Sequence, residues 1–252
     1  MIKLFVLDLD GCVTMPFETP DWKPATEVRE LSDASKTDPS IPPITICSGR
    51  PMPYIEAVAQ WLGVRFPFIF ESGGGMYNPQ TNELFWADAF DEKARTHVDE
   101  IRKWFESDLL KKFPGTIIEF SKRTDAGLIS HNESLTPEIY RTVKKRVEDK
   151  YPEFEVHMTP ISVNVILKKA NKGTGLKWLS EKTGITLDQI AYIGDSSGDL
   201  PAMKEARLAF APANAADVVK KSSLEITHLE ESATDAVAEA YRIIIGMNRE
   251  NG

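Results

Sequence analysis

Short apolar segments, most of them ended by a polar residue or a glycine, are the feature that most restricts how this chain can fold. Five of them read as strands: residues 2–7, 44–47, 67–70, 190–193 and 208–211. Strands that are apolar along nearly their whole length are typical of parallel sheets covered by helices on both faces. Three segments with helical apolar periodicity accompany them: residues 54–62, 174–183 and 233–245. The alternation of strands with helices predicts an α/β fold around a parallel sheet.

The middle of the chain has a different pattern. An amphipathic helix is predicted over residues 91–112, followed by two strand-like segments, a second helix over 137–150 and two more strand-like segments. This α+β block interrupts the α/β pattern. We therefore expect a discontinuous core domain, residues 1–85 and 169–252, with an inserted α+β domain at 86–168.

Charge and cysteine content exclude several classes of protein. A formal net charge of −8 argues against binding nucleic acid by neutralising its phosphates. Two cysteines do not make a disulfide framework, and Asp8 and Asp10 interrupt the one segment that resembles a signal peptide. No apolar run approaches the roughly 20 residues of a membrane span. We expect a cytoplasmic protein with no nucleic-acid or membrane partner.

Polar side chains follow several of the predicted strands at the point where each strand ends. Asp8, Asp10, Ser48 and Asp195 all lie at or just beyond such an end. In open parallel sheets, ligands bind at the edge formed by the carboxyl ends of the strands. Four side chains delivered to one edge predict a functional site there.

The acidic residues at this edge suggest a metal. Asp8 and Asp10 are two residues apart on a strand, so their side chains project to the same side, where two carboxylates repel unless a cation or a proton is shared. Oxygen ligands suit magnesium, although Asp-Gly also marks ordinary turns. Asp195 and Asp199 could complete the cluster, or Asp199 could simply cap the next helix.

Two further positions suggest an anion. After Ser48, the hydroxyl and the following NH groups could bind a phosphate oxygen near a helix N-terminus, although turn chemistry explains the same residues. Lys172 lies at the start of a predicted helix, where the helix dipole disfavours a cation. A nearby anion would account for it; a solvated surface lysine is the alternative.

In chain order, "DLDG" at 8–11, "SGR" at 48–50, Lys172 and "GDSSGD" at 194–199 resemble the haloacid dehalogenase superfamily of phosphatases. The insertion between "SGR" and Lys172 resembles the branch with a C2-type cap, subclass IIB. The segments "FESGGGMYN" and "PANAAD" are most similar to archaeal-type phosphoglycolate phosphatases, with sucrose-phosphate and mannosyl-phosphoglycerate phosphatases as near relatives. The resemblance implies a Rossmann-like core with an inserted cap.

The resemblance also implies catalytic and metal-binding roles. Asp8 is expected to attack phosphorus and form an aspartyl-phosphate. Asp10 is expected to protonate the leaving oxygen and then to deprotonate the attacking water. Mg²⁺ is expected to be held by Asp8, by the main-chain carbonyl of Asp10 and by Asp195, with Asp199 as a ligand or a supporting residue.

By the same resemblance, Ser48, Gly49 and Lys172 are expected to hold the oxygens of the transferring phosphoryl group. The cap is expected to close over the site and to select the substrate. Four further residues are candidates for substrate specificity: Arg123, His131, Asn164 and Asn214.

The implied function is a Mg²⁺-dependent phosphomonoesterase acting on a small phosphorylated metabolite, first phosphoglycolate and second a sugar phosphate, as a monomer or homodimer. A phosphomutase of the same superfamily and a non-catalytic phospho-ligand binding module are the alternatives. Three positions depart from the family pattern: Cys12 replaces the usual threonine, Gly198 replaces the usual asparagine, and Ser48 stands where threonine is more frequent.

Overall fold

The computed structural model describes residues 1–250 of the 252-residue chain. The chain divides into two compact units. One contains Met1–Phe85 together with the chain from Lys172 onward, and the other is Trp86–Asn171.

The helices and strands follow one another along the chain in three stretches. The first stretch contains β1 (Leu4–Leu7), α1 (Trp22–Ala34), β2 (Ile44–Ile46), α2 (Met52–Leu62), β3 (Phe68–Phe70), β4 (Gly75–Asn78) and β5 (Glu83–Trp86). The middle stretch contains α3 (Glu92–Trp104), α4 (Leu110–Lys112), β6 (Thr116–Ile118), β7 (Ala126–Ser130), α5 (Thr136–Lys150), β8 (Phe154–Met158) and β9 (Ser162–Leu167). The last stretch contains α6 (Lys172–Thr183), β10 (Ile190–Ile193), α7 (Leu200–Glu205), β11 (Leu208–Ala211), α8 (Asp217–Lys220), β12 (Thr227–His228) and α9 (Ala233–Glu250).

The α/β fold with a parallel sheet is confirmed. Five strands form this sheet in the order β12-β11-β10-β1-β2, and every neighbouring pair is parallel. All four residues of β1 are fully buried, as expected of a central strand covered on both faces. The short apolar runs of the sequence therefore identify the centre of the sheet.

One predicted member of the parallel sheet belongs elsewhere. Strand β3 pairs antiparallel with β4, and a single parallel bridge from Cys47 to Ile69 connects it to the end of β2. The fifth place is taken by β12, whose two residues, Thr227 and His228, are exposed and carry no apolar signal. A short edge strand of this kind cannot be identified from hydrophobicity.

Helix α1 is absent from the sequence-based prediction. It begins after Asp21, whose side chain accepts a hydrogen bond from the Lys23 NH group and so caps the helix. The face that it buries contains small or weakly apolar residues such as Ala25 and Ser32. Its apolar periodicity is therefore weak, and only the capping residue could have revealed the helix.

The inserted unit has its own sheet and core. Its four strands are antiparallel, in the order β6-β7-β9-β8, and the apolar faces of α3 and α5 contribute to the same hydrophobic cluster. The helix predicted over 91–112 is interrupted by a π-helical turn at Phe105–Leu109. This turn buries both Phe105 and Leu109, although they lie four residues apart in a pattern that reads as ordinary α-helix.

Among the described residues, no helix combines the length and apolar character needed to cross a bilayer.

Candidate active site

Strand β1 delivers Asp8 to the carboxyl end of the parallel sheet. The Asp8 NH group donates to the carbonyl of Ile193, the last residue of β10, at 3.0 Å. On the other side, the Cys47 NH group donates to the carbonyl of Leu7 at 2.9 Å. The ends of three adjacent strands therefore lie at one level, and Asp8, itself buried, is held in the middle of them.

Three carboxylates converge at this level. Asp8, Asp195 and Asp199 each offer an oxygen, and these oxygens lie within 4.8 Å of one another. Burial, together with the nearby charge of Asp199, raises the pKa of Asp8 well above its usual value. The same two causes raise the pKa of Asp195 to about 7. Carboxylates held together against their own repulsion, with hard oxygen donors, are what a divalent cation such as Mg²⁺ requires.

Lys172 neutralises part of this charge. Its Nζ lies 2.8 Å from Oδ1 of Asp8 and 2.7 Å from Oδ1 of Asp199. Burial lowers the pKa of Lys172, but the two carboxylates outweigh burial and hold the pKa well above its usual value. A cation at the start of α6, which the helix dipole disfavours, is thus explained by two buried anions.

Asp199 organises the loop that follows β10. Its Oδ1 accepts hydrogen bonds from Lys172 and from the hydroxyl of Tyr192, and its Oδ2 accepts from Ser196 Oγ and from the NH groups of Asp195 and Ser196. Burial alone would raise the pKa of Asp199. Lys172 and these donors outweigh burial and hold the pKa below its usual value, so that the group stays ionised. Although α7 begins directly after Asp199, its side chain does not cap that helix.

Two glycines allow these side chains to approach the backbone. A Cβ on Gly11 would lie 2.2 Å from Oδ2 of Asp195, and a Cβ on Gly194 would lie 2.4 Å from Cγ of Asp199. Gly11 also has a φ of 80°, in the left-handed region that favours glycine. The glycine of "DLDG" is therefore required by both its backbone conformation and its contact with Asp195.

We expect Gly11→Ala to lower the free energy of unfolding by about 1–3 kcal/mol, because the methyl group overlaps Asp195 and the left-handed backbone is strained. Urea denaturation measures the change. Gly246→Ala is the matched control: it lies within α9 with no heavy atom of another element within 4 Å of the added Cβ, and it should be neutral or stabilising by up to about 1 kcal/mol. Equal effects at the two positions would contradict the proposed overlap.

Asp10 does not join the three-carboxylate cluster. Its carboxylate instead accepts two hydrogen bonds from one edge of the Arg50 guanidinium. Nε lies 2.6 Å from Oδ2, and Nη2 lies 2.7 Å from Oδ1. Arg50 belongs to the "SGR" motif, but the sequence alone predicted no role for it. Tyr192 and Ser196, which bond Asp199, were also missed. Tyr192 carries a hydroxyl in an otherwise apolar strand, and that was the one available signal.

Ser48 and Gly49 form the turn between β2 and α2. Ser48 is buried; its NH group donates to the carbonyl of Ile69 at 3.1 Å, and its Oγ accepts from the Arg50 NH group at 3.3 Å. A Cβ on Gly49 would approach Ser72 Oγ to 3.2 Å. The turn therefore fixes the Ser48 hydroxyl beside the strand that carries Asp8, while the NH groups of Ser48 and Arg50 are used within the turn itself.

Asn214, predicted as a specificity residue, bonds main chain on both sides. Its Nδ2 donates to the carbonyl of Gly11 at 2.9 Å, and its Oδ1 accepts from the Ala233 NH group at 2.9 Å. It thus ties the turn after Asp10 to the start of α9. Cys12, in the same turn, is fully buried, and burial raises the pKa of its thiol well above the usual value.

Arg123, His131 and Asn164 all belong to the inserted unit. Arg123 and His131 are exposed, in the segment before β7 and directly after it. Asn164 lies on β9, where its Oδ1 accepts from Lys122 Nζ at 3.0 Å and its Nδ2 donates to Ser162 Oγ at 3.0 Å. Lys122 is buried and also pairs with Glu119 at 3.0 Å and Asp125 at 3.1 Å. Asn164 is thus part of a buried polar cluster on the sheet of this unit.

Known proteins resemble this chain in sequence and in fold. A family model described as haloacid dehalogenase-like hydrolase matches residues 99–241. The chain is 27% identical to a phosphoglycolate phosphatase of Methanobrevibacter smithii over 88% of this chain and 90% of that protein. It is 24% identical to the 5-amino-6-(5-phospho-D-ribitylamino)uracil phosphatase YcsE of Bacillus subtilis, over 96% of this chain and 95% of that one. The crystal structure of Thermoplasma acidophilum 0175 matches with a TM-score of 0.75 at 19% identity, covering 97% and 98% of the two chains.

Proposed function

This chain belongs to the haloacid dehalogenase-like hydrolases, and we propose that it is a Mg²⁺-dependent phosphomonoesterase acting on a small phosphorylated metabolite. The observation that carries the proposal is the convergence of Asp8, Asp195 and Asp199, with Lys172 between the two buried members, Asp8 and Asp199. Phosphoglycolate is the first candidate substrate. A sugar phosphate is the second, and the ribityl phosphate in the name of the Bacillus subtilis relative favours it as an alternative.

Asp8 is proposed to be the nucleophile. One of its carboxylate oxygens forms a bond to phosphorus as the bond between phosphorus and the ester oxygen breaks, which leaves an aspartyl-phosphate. Asp10 gives a proton to the departing oxygen. Asp10 then takes a proton from a water that attacks phosphorus, and the Asp8 carboxylate and inorganic phosphate are released. A fixed, buried mount on the central strand supports this role for Asp8, because a nucleophile must be placed to within about 0.5 Å.

Lys172, Ser48 and Gly49 are proposed to bind the phosphoryl oxygens. An ammonium group has three hydrogens, and two of those on Lys172 face Asp8 and Asp199, so the third remains for a phosphoryl oxygen. The hydroxyl of Ser48 and the NH group of Gly49 are proposed to supply neutral donors. Donors that are fixed before charge develops are the main source of catalysis in phosphoryl transfer.

The residues present fit a magnesium site. Asp8, Asp195 and the main-chain carbonyl of Asp10 would hold the ion, while Asp199, whose oxygens accept five hydrogen bonds, would hold Lys172 and the loop after β10 in place. The pKa values of Asp8 and Asp195, which are raised by burial and by the charge of Asp199, support the fit, because a bound cation would favour the ionised form of both groups. When bound, magnesium supplies positive charge that offsets the repulsion between a carboxylate nucleophile and an anionic phosphate.

We expect phosphate release from phosphoglycolate, from sugar phosphates or from p-nitrophenyl phosphate, and we expect EDTA to abolish it and added Mg²⁺ to restore it. A colorimetric phosphate assay over this panel measures both effects. Turnover that is unaffected by chelation would contradict the metal assignment. Conversion of a sugar phosphate without net phosphate release, dependent on a bisphosphate activator, would instead show a phosphomutase. Tight binding without turnover would indicate a binding module.

We assign substrate choice to the inserted unit, as a C2-type cap in which Arg123, His131 and Asn164 are the candidates for contacts with the leaving group. We also place the protein in the cytoplasm, as a monomer or homodimer. The support for the cytoplasm is that Cys12 and Cys47 are both free and buried.

A further inference from the structure

The pair formed by Arg50 and Asp10 has the geometry of a carboxylate-binding site. Nε and Nη2 of Arg50 each contact a different oxygen of Asp10, at 2.6 and 2.7 Å. Two parallel charge-assisted bonds of this kind are how guanidinium groups recognise planar carboxylates. The side chains are 21% and 33% exposed, so small solutes can reach the pair.

Arg50 is held in place independently of Asp10. Its NH group donates to Ser48 Oγ at 3.3 Å, and its carbonyl accepts from the Glu71 NH group at 3.0 Å. Its guanidinium also stacks over the ring of Tyr54, one helical turn further on, 4.9 Å from the centroid. The guanidinium would therefore keep its position if the Asp10 carboxylate were replaced by another.

Among the charged residues around the site, Arg50 is the best placed to bind a negatively charged leaving group. Asp8, Asp195 and Asp199 present negative charge, and Lys172 is 7% exposed and bonded to two of them. Arg50 is the more exposed of these two cations, and it is bonded to the residue proposed to serve the leaving oxygen.

We propose that Arg50 is a specificity residue for phosphomonoesters whose leaving group carries a carboxylate. The substrate carboxylate replaces that of Asp10 between Nε and Nη2 of Arg50, and this releases the Asp10 side chain toward the ester oxygen. A neutral leaving group has nothing to exchange with Asp10. The inference rests on the proposed function and narrows it to acidic substrates such as phosphoglycolate.

The test compares two substrates that differ only in this group: phosphoglycolate and its neutral analogue 2-hydroxyethyl phosphate. We expect Arg50→Gln to lower the ratio of their kcat/KM values roughly 10- to 100-fold, mainly through KM for phosphoglycolate. Arg50→Lys keeps the positive charge but lacks the two parallel NH donors of the guanidinium. Its ratio of kcat/KM values should lie between those of the wild type and Arg50→Gln. Arg65→Gln is the matched control, because Arg65 is a half-buried arginine of the same unit that bonds the Ser32 carbonyl and Ser35 Oγ.

A ratio that is unchanged in Arg50→Gln, or that falls equally in Arg65→Gln, would overturn the inference while leaving the phosphatase proposal intact. A wild-type protein that hydrolyses neither compound would overturn the proposed function instead. In that case, binding measurements test the role of Arg50. Calorimetry on the Asp8→Asn protein, with and without Arg50→Gln, measures the affinity of both compounds in the absence of turnover. Arg50 is not the carboxylate site if phosphoglycolate loses no more affinity than 2-hydroxyethyl phosphate.

Discussion

Asp8→Asn is expected to reduce phosphate release by at least roughly 1,000-fold on whichever phosphomonoester the wild-type protein hydrolyses best. An amide of the same shape cannot form the bond to phosphorus. Asp199 cannot take its place because its oxygens already accept five hydrogen bonds, and Asp195 is proposed to hold the metal. The fold should survive, since the change removes a buried charge whose pKa is already raised by burial and by Asp199. Steady-state assays and circular dichroism on the purified variant measure the two effects.

Asp188→Asn is the matched control for that change. Asp188 is exposed, in the short turn before β10, and its substitution removes the same charge from the same unit. It should leave both turnover and stability within experimental error of the wild type. Residual activity of Asp8→Asn above a few per cent would show that the nucleophile is another group, and the roles proposed for Asp10 and Lys172 would then have to be reassigned.

Lys172→Met is expected to lower the free energy of unfolding by about 3–5 kcal/mol, because it leaves two buried carboxylates without their cation. Asp8 and Asp199 are 3% and 0% exposed, so water cannot replace the lost ammonium. Turnover should also be lost, since the proposed phosphoryl ligand is gone. Urea denaturation monitored by tryptophan fluorescence measures the change in stability.

Lys177→Met tests whether burial is the cause. Lys177 lies on the same helix and pairs with Glu205 at 3.1 Å, but its side chain is 50% exposed. Its loss should cost less than about 1 kcal/mol. The double variant Lys172→Met with Asp199→Asn should recover part of the stability lost in Lys172→Met. It removes one of the two buried carboxylates that Lys172→Met leaves without a cation. Similar decreases in the free energy of unfolding for Lys172→Met and Lys177→Met would mean that the buried ion pairs stabilise the fold no more than an exposed one.

The centre of the fold was predictable because it depends on local composition. Strands β1, β10 and β11 are apolar along their length and end at an aspartate, a glycine or a proline, and the structure places them in one parallel sheet. The elements that were missed have weak local signals. Helix α1 buries small residues, and β12 has two exposed ones.

The convergence of Asp8, Asp195 and Lys172 was predictable for a related reason: parallel strands end at a common edge, and a lysine at a helix start needs an anion. The pairing of Arg50 with Asp10 was not, because it depends on how a loop side chain turns toward a residue 40 positions away. The hydrogen bonds that converge on Asp199 were hidden for the same reason. The sequence indicates which residues lie at the carboxyl edge of the sheet. The hydrogen-bond partner of each side chain at that edge depends on three-dimensional packing.

The central position of β1 also has a consequence in time. A strand that is fully buried and hydrogen-bonded on both edges opens only when the whole domain unfolds, whereas chain ends and exposed loops open far more often. Asp8 therefore keeps its placement through the local fluctuations that open chain ends and exposed loops. The carboxylate that we propose as the nucleophile thus holds its position for as long as the native state lasts.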